Sequence, residues 1–151
     1  MNRDLKFRAW DKINKKWLNL FQLKLSTDGS LLAVEDIDGE IYGLHQVEIV
    51  EYTGLKDSKG KEVYEGDILK WEYPAGYSLA EVLFGDFDNG KEYEDNESGI
   101  GWYIREHEHY ISESGKQKDI ENSIRITGIK GYPLDTYVYE VIGNIYEGVK
   151  E

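Results

Sequence analysis

Two histidines in the second half of the chain have a spacing that could bind a metal ion. His107 and His109 are separated by one residue, and on a β-strand that spacing places both imidazoles on one face, which suits zinc or another transition metal. The chain has no Cys, so a third ligand would have to be His45 or a carboxylate. The alternative, which we favour, is that both histidines lie on a solvated strand end.

Residues 86–97 contain six acids and partly match a calcium-binding loop. Asp86, Asp88 and Glu97 occupy the positions of the first, third and twelfth loop residues, but Gly90 arrives one residue earlier than the loop requires. No helix pattern flanks the segment. We therefore expect a solvated acidic loop and keep Asp86 and Asp88 only as weak metal candidates.

The sequence contains no recognised catalytic motif. It lacks a nucleophile elbow, a Walker-type phosphate loop and a dinucleotide fingerprint. Its 30 acids make chance carboxylate pairs common, so such pairs are no argument for acid–base catalysis. We expect no cofactor and no catalytic residue, and we favour a protein that is not an enzyme while leaving an enzyme as an alternative.

The charge is uneven along the chain. The 151 residues include 18 Lys and Arg against 30 Asp and Glu, yet residues 1–24 carry seven bases and only two acids. A net charge of −12 disfavours direct binding to nucleic acid, because such binding depends on neutralising phosphates. Either a basic face and an acidic face help subunits associate, or the surface is simply solvated and uneven. The longest aliphatic run is 31–34 and the first residues are charged, so we expect no membrane segment and a cytoplasmic location in the host cell.

Alternation of apolar and polar residues predicts a mainly β protein, a barrel or roll with at most one or two short helices. Turn pairs at 28–29, 38–39 and 89–90 separate the segments, and an Asp and a Gly at 57 and 60 suit a type I turn. The strand predictions cover 31–34, 41–52, 68–73, 80–84 and 100–104, with further strands around Leu5, Trp17 to Leu25, Ile124 and Tyr139. Residues 114–122 are the best candidate for a short helix.

Three stretches together resemble the YopX family of phage and prophage proteins. They are FRAWD at 7–11, YTGLKDSKGKEVYEGDI at 52–68 and VIGNIYE at 141–147, and they bracket nearly the whole chain in the family's order. The resemblance implies a small, mostly β protein with SH3-like barrel character, encoded by a temperate phage or a prophage, that associates into a homo-oligomer. It implies no activity and supplies no catalytic or binding residues.

We therefore expect a single YopX-like domain over residues 1–151, with a division into subdomains 1–53 and 54–151 left open. The functional prediction is an accessory protein that self-associates and binds a host or phage protein. The alternatives are an acidic inhibitor that mimics nucleic acid and a metal-dependent enzyme or small-molecule binder using residues 105–109. The 12 Tyr and four Trp exceed the needs of a small core. We therefore expect an interface that includes Arg8, Trp10, Trp17, Trp71 and Tyr146.

Overall fold

The chain forms two compact units, Met1–Tyr52 and Thr53–Glu151. The computed structural model describes residues 4–88, 98–111, 115–125 and 139–149. Every regular element within those residues is a β-strand, and no helix occurs among them. This confirms the prediction of a mainly β protein.

The first unit contains two antiparallel sheets. In one sheet, β1 (Phe7–Asp11) lies between β2 (Lys16–Trp17) and the first part of β6 (Val47–Lys56). In the other, β4 (Leu31–Asp36) lies between β3 (Leu20–Leu25) and β5 (Ile41–Gly43). Ala9, Val34, Tyr42 and Val47 are buried together and form the core of this unit.

Short turns close the β3–β4 and β4–β5 hairpins and the hairpin that follows β6. The turns cover residues 26–30, 36–40 and 57–61, and each has a Gly with positive φ at its fourth position. In each, the amide N–H of the Gly donates to the carbonyl of the first turn residue at 3.0–3.1 Å. Gly adopts this backbone conformation without a Cβ clash, so the turns predicted at 28–29, 38–39 and 57–60 are confirmed, while the pair at 89–90 lies outside the described residues.

The second unit is dominated by one antiparallel sheet of six strands. Its order is β11-β10-β9-β8-β12-β13, and the last part of β6 pairs with the short β7 outside it. The strands are β7 (Glu62–Tyr64), β8 (Asp67–Tyr73), β9 (Gly76–Asp88), β10 (Ser98–Ile111), β11 (Gly115–Arg125), β12 (Tyr139–Asn144) and β13 (Gly148–Val149). Consecutive strands from β8 to β11 are neighbours, and β12 returns to pair with β8.

The core of the second unit comes from the alternating apolar positions of these strands. Leu69, Ala80, Val82, Ile104 and Val141 are all buried in one cluster. Burying a side chain of the size of Leu contributes about 1.5–3 kcal/mol. The period-2 pattern is therefore explained by one buried face at Leu69, Ala80, Val82 and Ile104, whereas Phe84 and Ile100 at the ends of the pattern are exposed.

Three local predictions were wrong. Residues 115–122 belong to strand β11 and not to a helix, because pairing with β10 supplies their backbone hydrogen bonds. Residues 41–52 are not one strand, since a turn at 44–46 separates β5 from β6. Trp17 lies in β2, whereas Phe21, Leu23 and Leu25 lie in β3.

Candidate functional site

A buried aspartate fixes the shape of the β4–β5 hairpin. The carboxylate of Asp36 accepts hydrogen bonds from the N–H groups of Asp38 and Glu40, both at 3.0 Å, and from the hydroxyl of Tyr42 at 3.0 Å. Burial opposes ionisation of Asp36, but these donors and the charge of Lys16 outweigh it and lower its pKa. The same bond from Tyr42 raises the pKa of the tyrosine. The hairpin is therefore held by an ionised carboxylate.

This hairpin presents two isoleucines to solvent. Ile37 and Ile41 are 69% and 60% exposed. Ile37 lies within the turn that Asp36 holds, and Ile41 directly follows it. Ile41 pairs with Glu35, which pairs in turn with Gln22. Because paired residues share one face of a sheet, Ile41 lies on the face opposite the one that carries Val34 and the core.

Phe21 lies at the same end of the three-stranded sheet and is 66% exposed. Leu20 pairs with Asp36 and Gln22 with Glu35, so the register shifts at Phe21 and leaves it in a β-bulge. A bulge changes the direction of a side chain and is frequent beside functional sites. The N–H of Ile37 donates to the carbonyl of Asn19 at 2.9 Å, which ties the hairpin to this strand. We call Phe21, Ile37 and Ile41 the hairpin-end patch.

Acids surround the hairpin-end patch. Asp38 and Glu40 are exposed within the turn itself. Two lysines act on carboxylates of this region. Lys24 forms an ion pair with Glu35 at 3.1 Å, and the charge of Lys16 acts on Asp36. The patch is therefore an apolar surface with an acidic rim.

The second unit has a polar arrangement of a different kind, centred on Asp57. Its carboxylate accepts the N–H groups of Lys59 at 2.9 Å and Lys61 at 2.8 Å, and also that of Val141 at 3.0 Å. Burial opposes ionisation, but these three donors outweigh it and lower the pKa of Asp57. One side chain thus closes its own turn and caps a strand that lies 84 residues further along the chain.

The two residues after Asp57 also bind the start of β12. The N–H and the hydroxyl of Ser58 both donate to the carbonyl of Tyr139, at 3.0 and 2.6 Å. The ammonium of Lys59 lies 2.6 Å from the carboxylate of Glu140. We call Asp57, Ser58 and Lys59 the β12 clamp. Its polar groups are used to attach one strand, which is a structural role.

Gly66 makes a further contact between these two parts of the chain. It has a φ of +82°, its N–H donates to the carbonyl of Val82, and its carbonyl accepts the N–H of Ile145 at 2.9 Å. A Cβ at this position would lie 3.3 Å from side-chain atoms of both Ile145 and Tyr146. The YTGLKDSKGKEVYEGDI and VIGNIYE stretches are therefore packed against each other through Asp57, through Gly66 and through the pairing of Asp67 and Ile68 with Asn144 and Gly143.

In the FRAWD stretch, Asp11 has a similar structural role. It is fully buried and accepts the N–H groups of Ile13 at 2.9 Å and Asn14 at 3.1 Å, and the side-chain amide of Asn14 at 2.7 Å. These bonds, led by the amide of Asn14, lower the pKa of Asp11. Its carboxylate closes the turn between β1 and β2.

The residues predicted to form an interface pack within their own units. The guanidinium of Arg8 lies 3.9 Å from the centre of the Trp17 ring, and Trp17 meets Trp10 edge to face at 5.1 Å. Trp71 meets Tyr139 edge to face at 5.5 Å beside the core of the second unit. Trp10 is buried. Arg8, Trp17, Trp71 and Tyr146 are half-buried, and their part in an interface stays a prediction.

The structure separates the two pairs of predicted metal ligands along the β9–β10 hairpin. Asp86 pairs with Ile100 and Asp88 with Ser98, whereas His109 pairs with Ser78 at the other end of β9. At about 3.3 Å per residue, the histidines lie roughly 23–36 Å from the positions opposite the aspartates along β10. The register is interrupted at His107, so the unbroken strand assumed for His107 and His109 is not present there.

The remaining predicted metal ligands are His45 and the acids of the 86–97 loop. His45 lies in the first unit, in the turn between β5 and β6. Residues 89–97 of the acidic loop are outside the described part of the chain. Among the residues that the structure describes, no group of three or more His, Asp or Glu could hold a metal ion. Nor does this part of the chain contain a helix long and apolar enough to cross a membrane.

The acids and the turns are predictable from the sequence, but the hairpin-end patch and the β12 clamp are not. The sequence predicts Phe21 and Ile41 as strand residues, which is correct, and only the acids interspersed with isoleucines over 35–41 indicate an exposed apolar hairpin. Nothing in the sequence signalled the β12 clamp. Its main acceptors and donors are backbone groups, which every residue carries.

Comparison with known proteins adds the family and a fold relative. The family model described as "YopX protein" matches residues 6–150. The chain is also similar to protein EF1440 from Enterococcus faecalis, whose crystal structure superposes with a TM-score of 0.55. That similarity has 23% sequence identity and covers 97% of this chain and 96% of that chain, and it shows a shared fold. No curated protein matches the sequence.

Proposed function

The chain belongs to the YopX family, and from that membership together with the hairpin-end patch we propose a phage or prophage accessory protein that binds other proteins. It associates with copies of itself and with a host or phage protein, in the cytoplasm of the host cell. It performs no catalysis.

The observation that supports binding to a host or phage protein is the exposure of three large apolar side chains at one end of a sheet, whereas self-association is proposed from the family membership. Phe21, Ile37 and Ile41 are each at least 60% exposed. Single exposed apolar residues are ordinary, but a group of them with a polar rim is typical of a protein-binding surface. In contrast, Asp11, Asp36 and Asp57 are engaged in backbone hydrogen bonds and serve the fold.

Two measurements test the proposal. Light scattering after gel filtration, from about 1 to 100 µM protein, is expected to show a mass that rises with concentration. Tagged protein expressed in an induced lysogen is expected to retain a specific protein through washing, whereas an unrelated acidic protein with the same tag does not. A chain that stays monomeric and retains nothing would contradict the proposal.

A second candidate function is favoured by the distribution of charge. Residues 53–151 carry 21 acids against 11 bases, whereas residues 1–52 carry nine against seven. An acidic inhibitor could occupy the nucleic-acid site of a host or defence enzyme. In that case added DNA and added salt should both release the captured partner. A partner that stays bound under both conditions excludes this function.

A further inference from the structure

We infer that the hairpin-end patch binds a segment of a partner protein in which apolar side chains are flanked by Lys or Arg. This inference rests on the proposed function and adds the surface and the chemistry of the partner. It is argued from the exposure of the patch, from the rigidity of the hairpin beneath it and from the charge of its rim.

The apolar part of the patch is exposed and held in place. Ile37 and Ile41 sit on a hairpin whose turn is closed by three hydrogen bonds to the carboxylate of Asp36. Phe21 lies in a bulge of β3, the edge strand on the other side of β4 from Ile41. A surface whose backbone is already ordered loses little conformational entropy on binding, which favours affinity.

The rim selects the charge of the occupant. Asp38 and Glu40 are exposed beside the two isoleucines. Of the lysines nearby, Lys24 is ion-paired with Glu35, and the exposed Lys16 acts on Asp36 through its charge. Around the patch there are thus two more acids than bases. The whole chain adds a net charge of −12, which attracts cationic partners and repels anionic ones.

The same charge argues against a second copy of this chain as the occupant. Two copies bring like charges together, because the acids around Ile37 and Ile41 outnumber the nearby bases, Lys16 and Lys24. Like charges placed opposite each other across an interface disfavour binding. An apolar segment with flanking bases satisfies both the isoleucines and the acidic rim.

Fluorescence anisotropy with labelled synthetic peptides tests the inference. The probe alternates Leu and Lys, and two comparison peptides replace either every Leu by Ser or every Lys by Glu. The Leu–Lys peptide is expected to bind saturably below about 1 mM, and both comparison peptides at least tenfold more weakly. Raising the salt from about 0.05 to 0.5 M should weaken its binding.

Matched variants locate the binding. The double variant Ile37→Ser/Ile41→Ser should weaken binding of the Leu–Lys peptide at least tenfold, and Asp38→Asn/Glu40→Gln should weaken it several-fold. Ile100→Ser removes an equally exposed isoleucine elsewhere, and Asp4→Asn/Asp86→Asn removes two exposed acids. Both controls should bind within about twofold of the unaltered protein. All four variants change exposed residues, and an unchanged urea midpoint verifies that they fold.

Several outcomes would overturn the inference. They are equal binding of the Ser–Lys or Leu–Glu peptide, no saturable binding of the Leu–Lys peptide, and equal loss of binding in the control variants. A dimer that Ile37→Ser/Ile41→Ser converts to monomer would show that a second copy occupies the patch. If the lysogen partner is retained equally by the unaltered protein and this variant, the proposed function stands and the inference fails.

Discussion

At the scale of single residues, the acids of this protein divide into those that fix the fold and those that remain on the surface. Asp11, Asp36 and Asp57 each accept at least two backbone N–H groups. Hydrogen bonds of this kind stabilise the ionised form and lower its pKa. Asp38 and Glu40 are exposed and free to face a partner. Substitutions in the first group should therefore alter stability, and substitutions in the second group should alter binding.

Asp57→Asn should destabilise the protein at pH 7, because an amide cannot accept all three N–H groups that the carboxylate binds. The folded-state pKa of Asp57 lies below 3.8, so its contribution is complete above that pH and is lost as the pH falls below it. The difference in urea midpoint between the unaltered and variant proteins should therefore shrink as the pH is lowered below 3.8. Asp86→Asn is the control, with a small effect expected at pH 7. Equal midpoints for D57N and the unaltered protein at pH 7 would contradict the clamp.

Gly66→Ala should lower the free energy of unfolding more than Gly60→Ala. Both glycines have nearly the same positive φ, +82° and +81°, so both variants incur a strain of about 1–2 kcal/mol. A Cβ at Gly60 meets nothing within 4 Å, whereas one at Gly66 lies 3.3 Å from Ile145 and Tyr146. Denaturation by urea measures both values. If the two substitutions cost the same, Gly66 has no packing role.

At the scale of elements, the turns that begin at Asp11 and at Asn144 have the same hydrogen-bonding pattern but differ at their fifth residue. Asp11 and Asn144 each cap a turn by accepting two backbone N–H groups. Four residues later, Lys15 and Gly148 have φ values of +56° and +85°. Lys15 is the only residue other than Gly with a positive φ in the described part of the chain. A side chain is disfavoured in this conformation, and Gly is not.

Lys15→Gly should therefore raise the free energy of unfolding, by up to about 1 kcal/mol, since it relieves the strain at this position. The control is Ile13→Gly in the same turn, where φ is negative and the substitution only adds freedom to the unfolded chain. Thermal denaturation should give a higher midpoint for the first variant and a lower one for the second. A lower midpoint for both would mean that Lys15 is not strained.

The elements that could be predicted from the sequence are those whose signal is local. Alternation at 68–73 and 80–84 gave β8 and part of β9, and Gly39 and Gly60 marked hairpin turns. The break between β5 and β6 was missed because Leu44, His45 and Gln46 include no Gly or Pro. The polar segment 115–125 has no clear period, so only its pairing with β10 makes it a strand. The hydrogen bond from Val141 to Asp57 depends on the whole sheet and has no local signal.

At the scale of the whole molecule, charge decides which partners can approach. The chain carries a net charge of −12, and ten of those charges belong to residues 53–151. A second copy is repelled by this field, while a basic segment is attracted. The two kinds of binding proposed above therefore depend on salt in opposite directions.

Added salt should strengthen self-association and weaken binding of the Leu–Lys peptide. Screening reduces the repulsion between two acidic copies and also reduces the attraction between acidic patch and basic peptide. Light scattering and anisotropy, both measured from about 0.05 to 0.5 M NaCl, should show apparent dissociation constants that move in opposite directions. Sucrose is the control, because it alters solvation without screening charge. It should not move the two dissociation constants in opposite directions. If salt weakens both, ion pairs between copies hold the oligomer together, and the uneven charge of residues 1–24 becomes the better explanation of self-association.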